Sequence, residues 1–184
     1  MSELWPGGPE YAFAGAFPVT TDSVLLADFA RVRPGSRVLE LCCGAGLISL
    51  LLMARAPGLD VLAVELDEAA AALARENFAA NGMAARVVCG DLRDAAVLPE
   101  ANSVDFVVCN PPYFAANSGK AAPDRPRAVA RSESECTIAD VARAAARSLR
   151  QGGRLALVHR SERLAEVLVA LAAERLEPKR LRFV

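Results

Sequence analysis

Four consecutive residues, Asn110-Pro111-Pro112-Tyr113, carry the most chemistry per position in this chain. They follow an apolar run, Val104 to Cys109, that reads as a strand. Two prolines cannot donate to a sheet ladder, so the strand stops there. An amide oxygen and a neighbouring backbone carbonyl can each accept one N–H. The rings of Tyr113 and Phe114 can cover a flat group beside them. The cluster therefore suits gripping a planar amine. The competing reading, less favoured even for this stretch alone, is a Pro-rich turn closed by a hydrophobic contact.

A second constellation lies upstream. Leu39-Glu40-Leu41-Cys42-Cys43-Gly44-Ala45-Gly46 is a strand running into a Gly-x-Gly turn, where the backbone can approach a ligand closely. Such turns also serve NAD enzymes, but Ser49 stands where the dinucleotide fingerprint has its third glycine, which argues against a pyrophosphate site. Glu65 ends the next strand, where a carboxylate can accept both hydroxyls of a ribose. Asp91, after Gly90, ends the third, where it can meet an adenine amino group. Each acid alone reads as a cap or a surface charge; at successive strand ends they fit an adenosine-shaped ligand.

The elements that must position these residues alternate regularly. Strands are predicted at Arg37 to Leu41, Asp60 to Leu66, Ala85 to Cys89, Val104 to Cys109 and Arg154 to His159. Helices are predicted after Thr20-Thr21-Asp22, over Gly46 to Ala56, over Asp67 to Ala80 and closed by Asn81-Gly82, from a Thr137 to Asp140 box through Arg150, and over Ser161 to Leu176. Near-continuous apolar strands alternating with helices indicate a three-layer, doubly wound α/β fold with a mostly parallel sheet. Ligands of such sheets sit outside the carboxyl ends of strands, where strand order reverses. If the first and fourth strands flank that point, Gly44 and Asn110 are neighbours. The whole chain, residues 1–184, reads as one domain, with residues 1–36 an extended or loop-like segment and capping helix before a 37–184 core.

The totals narrow the function. With 53% hydrophobic and 23% charged residues the composition is that of a soluble globular protein. The net charge of −1 gives no global attraction to nucleic acid, so such a partner needs a local basic patch. Ala115 to Arg131 offers one, with Lys120, Arg125, Arg127 and Arg131 against Asp124. A loop of that length either meets a polyanionic substrate or is a solvated surface. The five cysteines form no CxxC and His159 is the single histidine, so buried reduced thiols are expected and no metal site is. No signal peptide or membrane span is expected, and a cytoplasmic location follows.

Glu40 to Gly46, Glu65, Gly90-Asp91 and Asn110 to Tyr113 together resemble the class I S-adenosylmethionine-dependent methyltransferases that act on amines. Phe17 to Ala30 and the stretch after the basic loop, Ala130 to Ala145, are similar to the bacterial tRNA1(Val) adenine-N6 methyltransferases. The resemblance implies S-adenosyl-L-methionine as cofactor, with Glu40 and the Gly44–Gly46 turn at its methionine end, Glu65 at its ribose and Asp91 at its adenine. It implies that Asn110 and the Pro111 carbonyl orient the target amine beside the cofactor and that Tyr113 stacks on the base. Pro112, Phe114, Lys120, Arg125 and Arg127 are the candidate substrate contacts. Cys42-Cys43 departs from the family's usual Gly-Cys, and Thr20-Thr21-Asp22 from Gly-Thr-Asp.

The implied reaction is methyl transfer to adenine N6, most simply in tRNA. A protein glutamine amide, adenine in ribosomal RNA or DNA, and a non-catalytic cofactor-binding scaffold are the competing readings. The implied sheet has seven strands, the last two a hairpin. Lys179 to Val184 reads as a sixth strand without a returning partner, so the hairpin is expected to be incomplete, as in a truncated form of a longer chain.

Overall fold

The computed structural model describes residues 1–13, 18–111 and 136–184. At its centre is a five-stranded parallel sheet built from β3 (Arg37–Leu41), β4 (Asp60–Glu65), β5 (Ala85–Cys89), β6 (Val104–Cys109) and β7 (Leu149–Leu157), in the order β5-β4-β3-β6-β7. The chain winds outward from β3 to β5, then returns to the other side of β3 with β6. Strand order therefore reverses between β3 and β6, the condition under which Gly44 and Asn110 become neighbours.

Side-chain alternation assigns the two faces. Val38, Val61, Phe106 and Val108 point to one side, against Leu26 and Ala27 of α1 (Thr21–Phe29) and Ile48 and Leu52 of α2 (Leu47–Arg55). On the same side Ala63 packs with Ala74 and Phe78 of α3 (Glu68–Ala80). Leu39, Leu41, Leu62, Val64 and Val107 face the opposite layer, formed by Val141 and Ala145 of α4 (Ile138–Ser148) and Val167 and Ala170 of α5 (Leu164–Ala173). Both faces are covered, which is why these strands are apolar at nearly every position.

The helix starts follow their polar signals. Thr20 accepts from the Ser23 amide, Asp67 from Ala70, and Thr137 with Asp140 forms a full capping box. At the far end of α1, Nη2 of Arg55 donates to the carbonyls of Ala27 at 2.6 Å and Ala30 at 2.7 Å, occupying acceptors that the helix end leaves open.

Two expectations are corrected. α4 ends at Ser148 rather than Arg150, because Leu149 already pairs with Val104. Phe106 then pairs with Arg154, so 150–153 bulge out opposite Asp105, a detour made possible by Gly152 at φ 77. The segment before α1, expected to be extended or loop-like, includes β1 (Ser2–Glu3) and β2 (Glu10–Tyr11), which form a short antiparallel hairpin. Lys179 to Val184 forms no strand. These residues run back across α1, where the Arg180 guanidinium lies 4.2 Å from the Phe29 ring centroid and Arg182 pairs with Asp28 at 3.5 Å. Side-chain contacts to a helix stand in place of the expected sixth strand.

Candidate active site

β3 and β6 end side by side, with Leu41 opposite Cys109. The next residues are the Gly-x-Gly turn on one strand and Asn110-Pro111 on the other, so the two constellations meet at the reversal point. Glu65 enters the same place from β4. Its Oε2 accepts from the Gly44 amide at 2.8 Å, and its Oε1 from the amides of Leu66 at 2.9 Å and Asp67 at 3.0 Å. Burial nonetheless raises the Glu65 carboxyl above its ordinary range, since desolvation outweighs these bonds. A carboxylate has about four acceptor positions, so capacity for further N–H or O–H donors remains.

The turn itself depends on its glycines. Gly44 and Gly46 stand at φ 54 and 81, and a Cβ on Gly46 would meet Phe78 Cζ at 2.7 Å. Cys42 also adopts a left-handed φ of 57. That conformation costs a non-glycine residue roughly 1–2 kcal/mol, which explains why glycine suits the position where this chain departs from the pattern it resembles. The neighbouring Cys109 thiol, together with burial, holds the Cys42 thiol well above the ordinary thiol range. All five cysteines are free.

Glu40 is fully buried on the α2 side of β3. Its Oε2 accepts from the Ser49 amide at 3.0 Å and from the Ser49 hydroxyl. Its Oε1 has no hydrogen-bond partner among the described residues. Burial is the leading reason that its carboxyl is raised to about 7, against the opposing pull of Ser49. A buried carboxylate oxygen without a donor, beside a glycine turn, is a ready receptor for a ligand's ammonium group. The α-ammonium of S-adenosylmethionine supplies that chemistry, so these residues fit the expected cofactor.

A polar clamp holds the N-terminal hairpin over this turn. Asn77, fully buried on α3, accepts from the Ala12 amide at 2.8 Å and donates to the carbonyls of Ala12 at 3.0 Å and Ala45 at 2.9 Å. Asn81, one helical turn later, binds both backbone groups of Glu10. Tyr11, 3% exposed, is thereby lodged near Glu40, and burial followed by that charge raises its phenol. None of these residues was singled out as a site component by the sequence. The available signal was two asparagines four apart on one face of an Ala-rich helix, where asparagine is otherwise unfavourable.

Asp91 follows β5 and is gripped by Arg93, whose Nε lies 3.0 and 2.9 Å from its two oxygens and whose amide donates at 2.9 Å. That guanidinium holds the Asp91 carboxyl below its ordinary range. Asn110, partly buried, donates from Nδ2 to the hydroxyl of Ser23 on α1 at 3.2 Å. Pro111 is buried. The structure therefore brings Glu40, Gly44, Gly46, Glu65, Asn110 and Pro111 to one point and sets Asp91 at the next strand end but one. Pro112, Tyr113, Phe114, Lys120, Arg125 and Arg127 lie outside the described residues. Among the described residues no cluster has the makings of a metal site, and no helix is long and apolar enough to cross a membrane.

The chain is similar to known methyltransferases. The family model described as methyltransferase small domain matches residues 19–177. A tRNA1(Val) (adenine(37)-N6)-methyltransferase of Porphyromonas gingivalis is 36% identical over 174 residues, covering 90% of this chain and 68% of that protein. A 4-amino-L-phenylalanine/4-methylamino-L-phenylalanine methyltransferase of Streptomyces pristinaespiralis is 41% identical over 159 residues, covering 81% and 53%. Among solved structures, TrmN from Thermus thermophilus superposes with a TM-score of 0.61 at 30% identity, over 81% of this chain and 40% of that one. The chain thus spans about half to two thirds of the curated relatives' length and less than half of the solved relative's.

Proposed function

The chain belongs to the methyltransferase small domain family, and on that premise we propose that it methylates the N6 amine of an adenine in tRNA. It carries the core of an S-adenosylmethionine-dependent N-methyltransferase. One observation carries the proposal: the Asn110-Pro111 end of β6 lies directly beside the Gly44 turn of β3, which sets an amine-gripping amide against a cofactor pocket. The relative from Porphyromonas gingivalis, named for adenine N6 in tRNA, supports the choice of acceptor.

Bound there, S-adenosylmethionine supplies a sulfonium-activated methyl group. Glu40 Oε1 would accept from its ammonium, Glu65 from its ribose, and Asp91 from its adenine amino group. Asn110 Oδ1 and the Pro111 carbonyl each accept one N–H of the target amine. An exocyclic adenine amine is a poor nucleophile because its lone pair is conjugated with the ring. Two acceptors on its hydrogens favour a pyramidal nitrogen with the lone pair turned toward the cofactor. Positioning and oriented dipoles carry such a transfer, with no covalent enzyme intermediate. In this reading Tyr113 would stack on the base, and Pro112, Phe114, Lys120, Arg125 and Arg127 would be the further candidate contacts to the substrate. Water takes the proton that the product nitrogen releases.

A small aromatic amine is the second reading, favoured by the relative named for 4-amino-L-phenylalanine. Transfer of tritiated methyl to bulk tRNA, DNA, protein and 4-aminophenylalanine, compared in one assay, decides between them. Label in tRNA that nuclease digestion returns as N6-methyladenine is the expected result. Label confined to another acceptor would displace tRNA as the substrate.

A further inference from the structure

The first turn of α1 holds a hydroxyl pair that helix capping does not explain. Thr20 caps the helix by accepting from the Ser23 amide at 3.2 Å, and capping asks no more of it. Yet its hydroxyl also donates to Ser23 Oγ at 2.9 Å. Ser23 is only 8% exposed, whereas Thr21 beside it is exposed and Asp22 partly so. A serine so placed faces inward, and what it faces is Asn110: the amide Nδ2 donates to Ser23 Oγ across 87 positions of sequence. Ser23 Oγ therefore receives two donors, one from its own helix cap and one from the end of β6.

The direction of that bond matters because a side-chain amide has unlike ends. One arm carries two donors and the other two acceptor lone pairs. Rotating the amide by half a turn exchanges them at almost no steric cost. A target amine presents N–H groups, so it can be held only by the oxygen arm; the nitrogen arm would face it donor to donor. Something must therefore choose the orientation. With the Thr20 hydroxyl donating to it, Ser23 Oγ accepts from Asn110 Nδ2, and in that arrangement Nδ2 points to α1 and Oδ1 points away from it.

We infer that Ser23 is a positioning residue for methyl transfer: through the Thr20–Ser23–Asn110 hydroxyl–amide chain it fixes the Asn110 side chain with its oxygen toward the target amine. The inference rests on the proposed role of Asn110 as the amine acceptor, whatever molecule bears that amine. It also gives the stretch before the first strand a task. That stretch secures the donor–acceptor polarity of a residue brought in by a different strand. Ser23 touches neither substrate nor cofactor in this account; it acts only through Asn110.

Two readouts test it. In the resting protein, the side-chain amide resonances of Asn110, identified by their absence in Asn110→Ala, should shift and exchange faster with water in Ser23→Ala. Ser23→Thr, which keeps the hydroxyl, should leave them near their native positions and show that any change is not a loss of fold. In methyl transfer, Ser23→Ala should lower kcat about tenfold, the scale of one ordinary hydrogen bond, with KM for the cofactor unchanged. Ser23→Thr should restore most of it. Adding Ser23→Ala to Asn110→Ala should cost nothing further, because the residue through which it acts is gone. Unmoved amide resonances in Ser23→Ala would overturn the inference, and so would losses that simply multiply in the double variant. Failure of tRNA to accept label would sink the substrate reading alone, since the amide resonances still decide the role of Ser23 without any substrate.

Discussion

Glu40→Gln replaces the buried carboxylate with a neutral group of the same shape, and its effects on stability and on cofactor binding should have opposite signs. The native carboxyl is raised from 4.5 to about 7, chiefly by burial, with Oε1 facing no donor among the described residues. Between those two values the folded state binds more protons than the unfolded one. The native protein is therefore most stable, as far as this group is concerned, below the unfolded value, and loses that stability as pH rises through about 7. A shift of this size corresponds to about 3 kcal/mol by pH 8. The glutamine variant has no such loss: it should match the native protein near pH 5 and exceed it by about 3 kcal/mol at pH 8. The new amide oxygen can still accept from the Ser49 amide, and the Ser49 hydroxyl can turn to suit it.

Binding should run the other way. An ammonium beside Oε1 favours the charged carboxylate, so the native protein should release a proton on binding S-adenosylhomocysteine below pH 7, and bind more tightly as pH rises from 5.5 to 7.5. Glu40→Gln should abolish that proton release and weaken binding by roughly 1.5–3 kcal/mol, the scale of a charged hydrogen bond. Urea unfolding at several pH values gives the first comparison; calorimetry in two buffers of different ionisation enthalpy gives the second. Parallel stability profiles of the two proteins from pH 5 to 8 would refute the reasoning, for they would mean that the carboxylate has a partner after all.

Glu65→Ala removes the acceptor for the Gly44 amide and should weaken S-adenosylhomocysteine binding by roughly 1–3 kcal/mol in the same calorimeter. An unchanged affinity would take Glu65 out of the cofactor site. Asn110→Ala should keep the fold and cofactor affinity but lose roughly 10²–10³ in methyl transfer, as when one oriented polar contact is removed from a reacting centre. Near-normal turnover by the folded variant would end its assigned role. Neutralising Lys120, Arg125 and Arg127 together should weaken tRNA binding and flatten its dependence on salt, read from filter binding across a salt series. A slope that stays the same would place that stretch away from the nucleic acid.

The sheet was legible because both faces of every central strand are buried. Burial on both sides leaves runs such as VLAVE that no helix of a half-exposed kind would need, and glycine or proline breaks separate them. Strand ends were legible for the same reason, and with them the positions of Glu65, Asp91 and Asn110. What failed was local and short. β1 and β2 have two residues each, too few for any period to register. The bulge at 150–153 is set by what Val104 and Phe106 pair with across the sheet, which the helix-like run before it does not reveal. Lys179 to Val184 read as a strand, but a short stretch of sequence does not say what will lie beside it. There the neighbours are Phe29 and Asp28 of a helix.

Within the site the division is sharper. Residues that would meet a ligand stand at turns, where glycine, proline and isolated acids break the apolar pattern and so attract notice. Residues that hold those in place sit inside helices, where they look like caps or like tolerated polar substitutions. Ser49 was read only as a missing glycine, yet it is the one described donor to the buried Glu40 carboxylate. Asn77 looked like a polar position in an alanine helix, yet it joins the hairpin at Ala12 to the turn at Ala45. Ser23 looked like the third residue of a capped helix. In each case the partner lies on another element, from 9 to 87 positions away, and a polar side chain turned inward is stable only because that partner exists. A sequence can show that such a residue is out of place in its own helix; only the packing of α1, α2 and α3 on one face of the sheet says where its hydrogen bond goes.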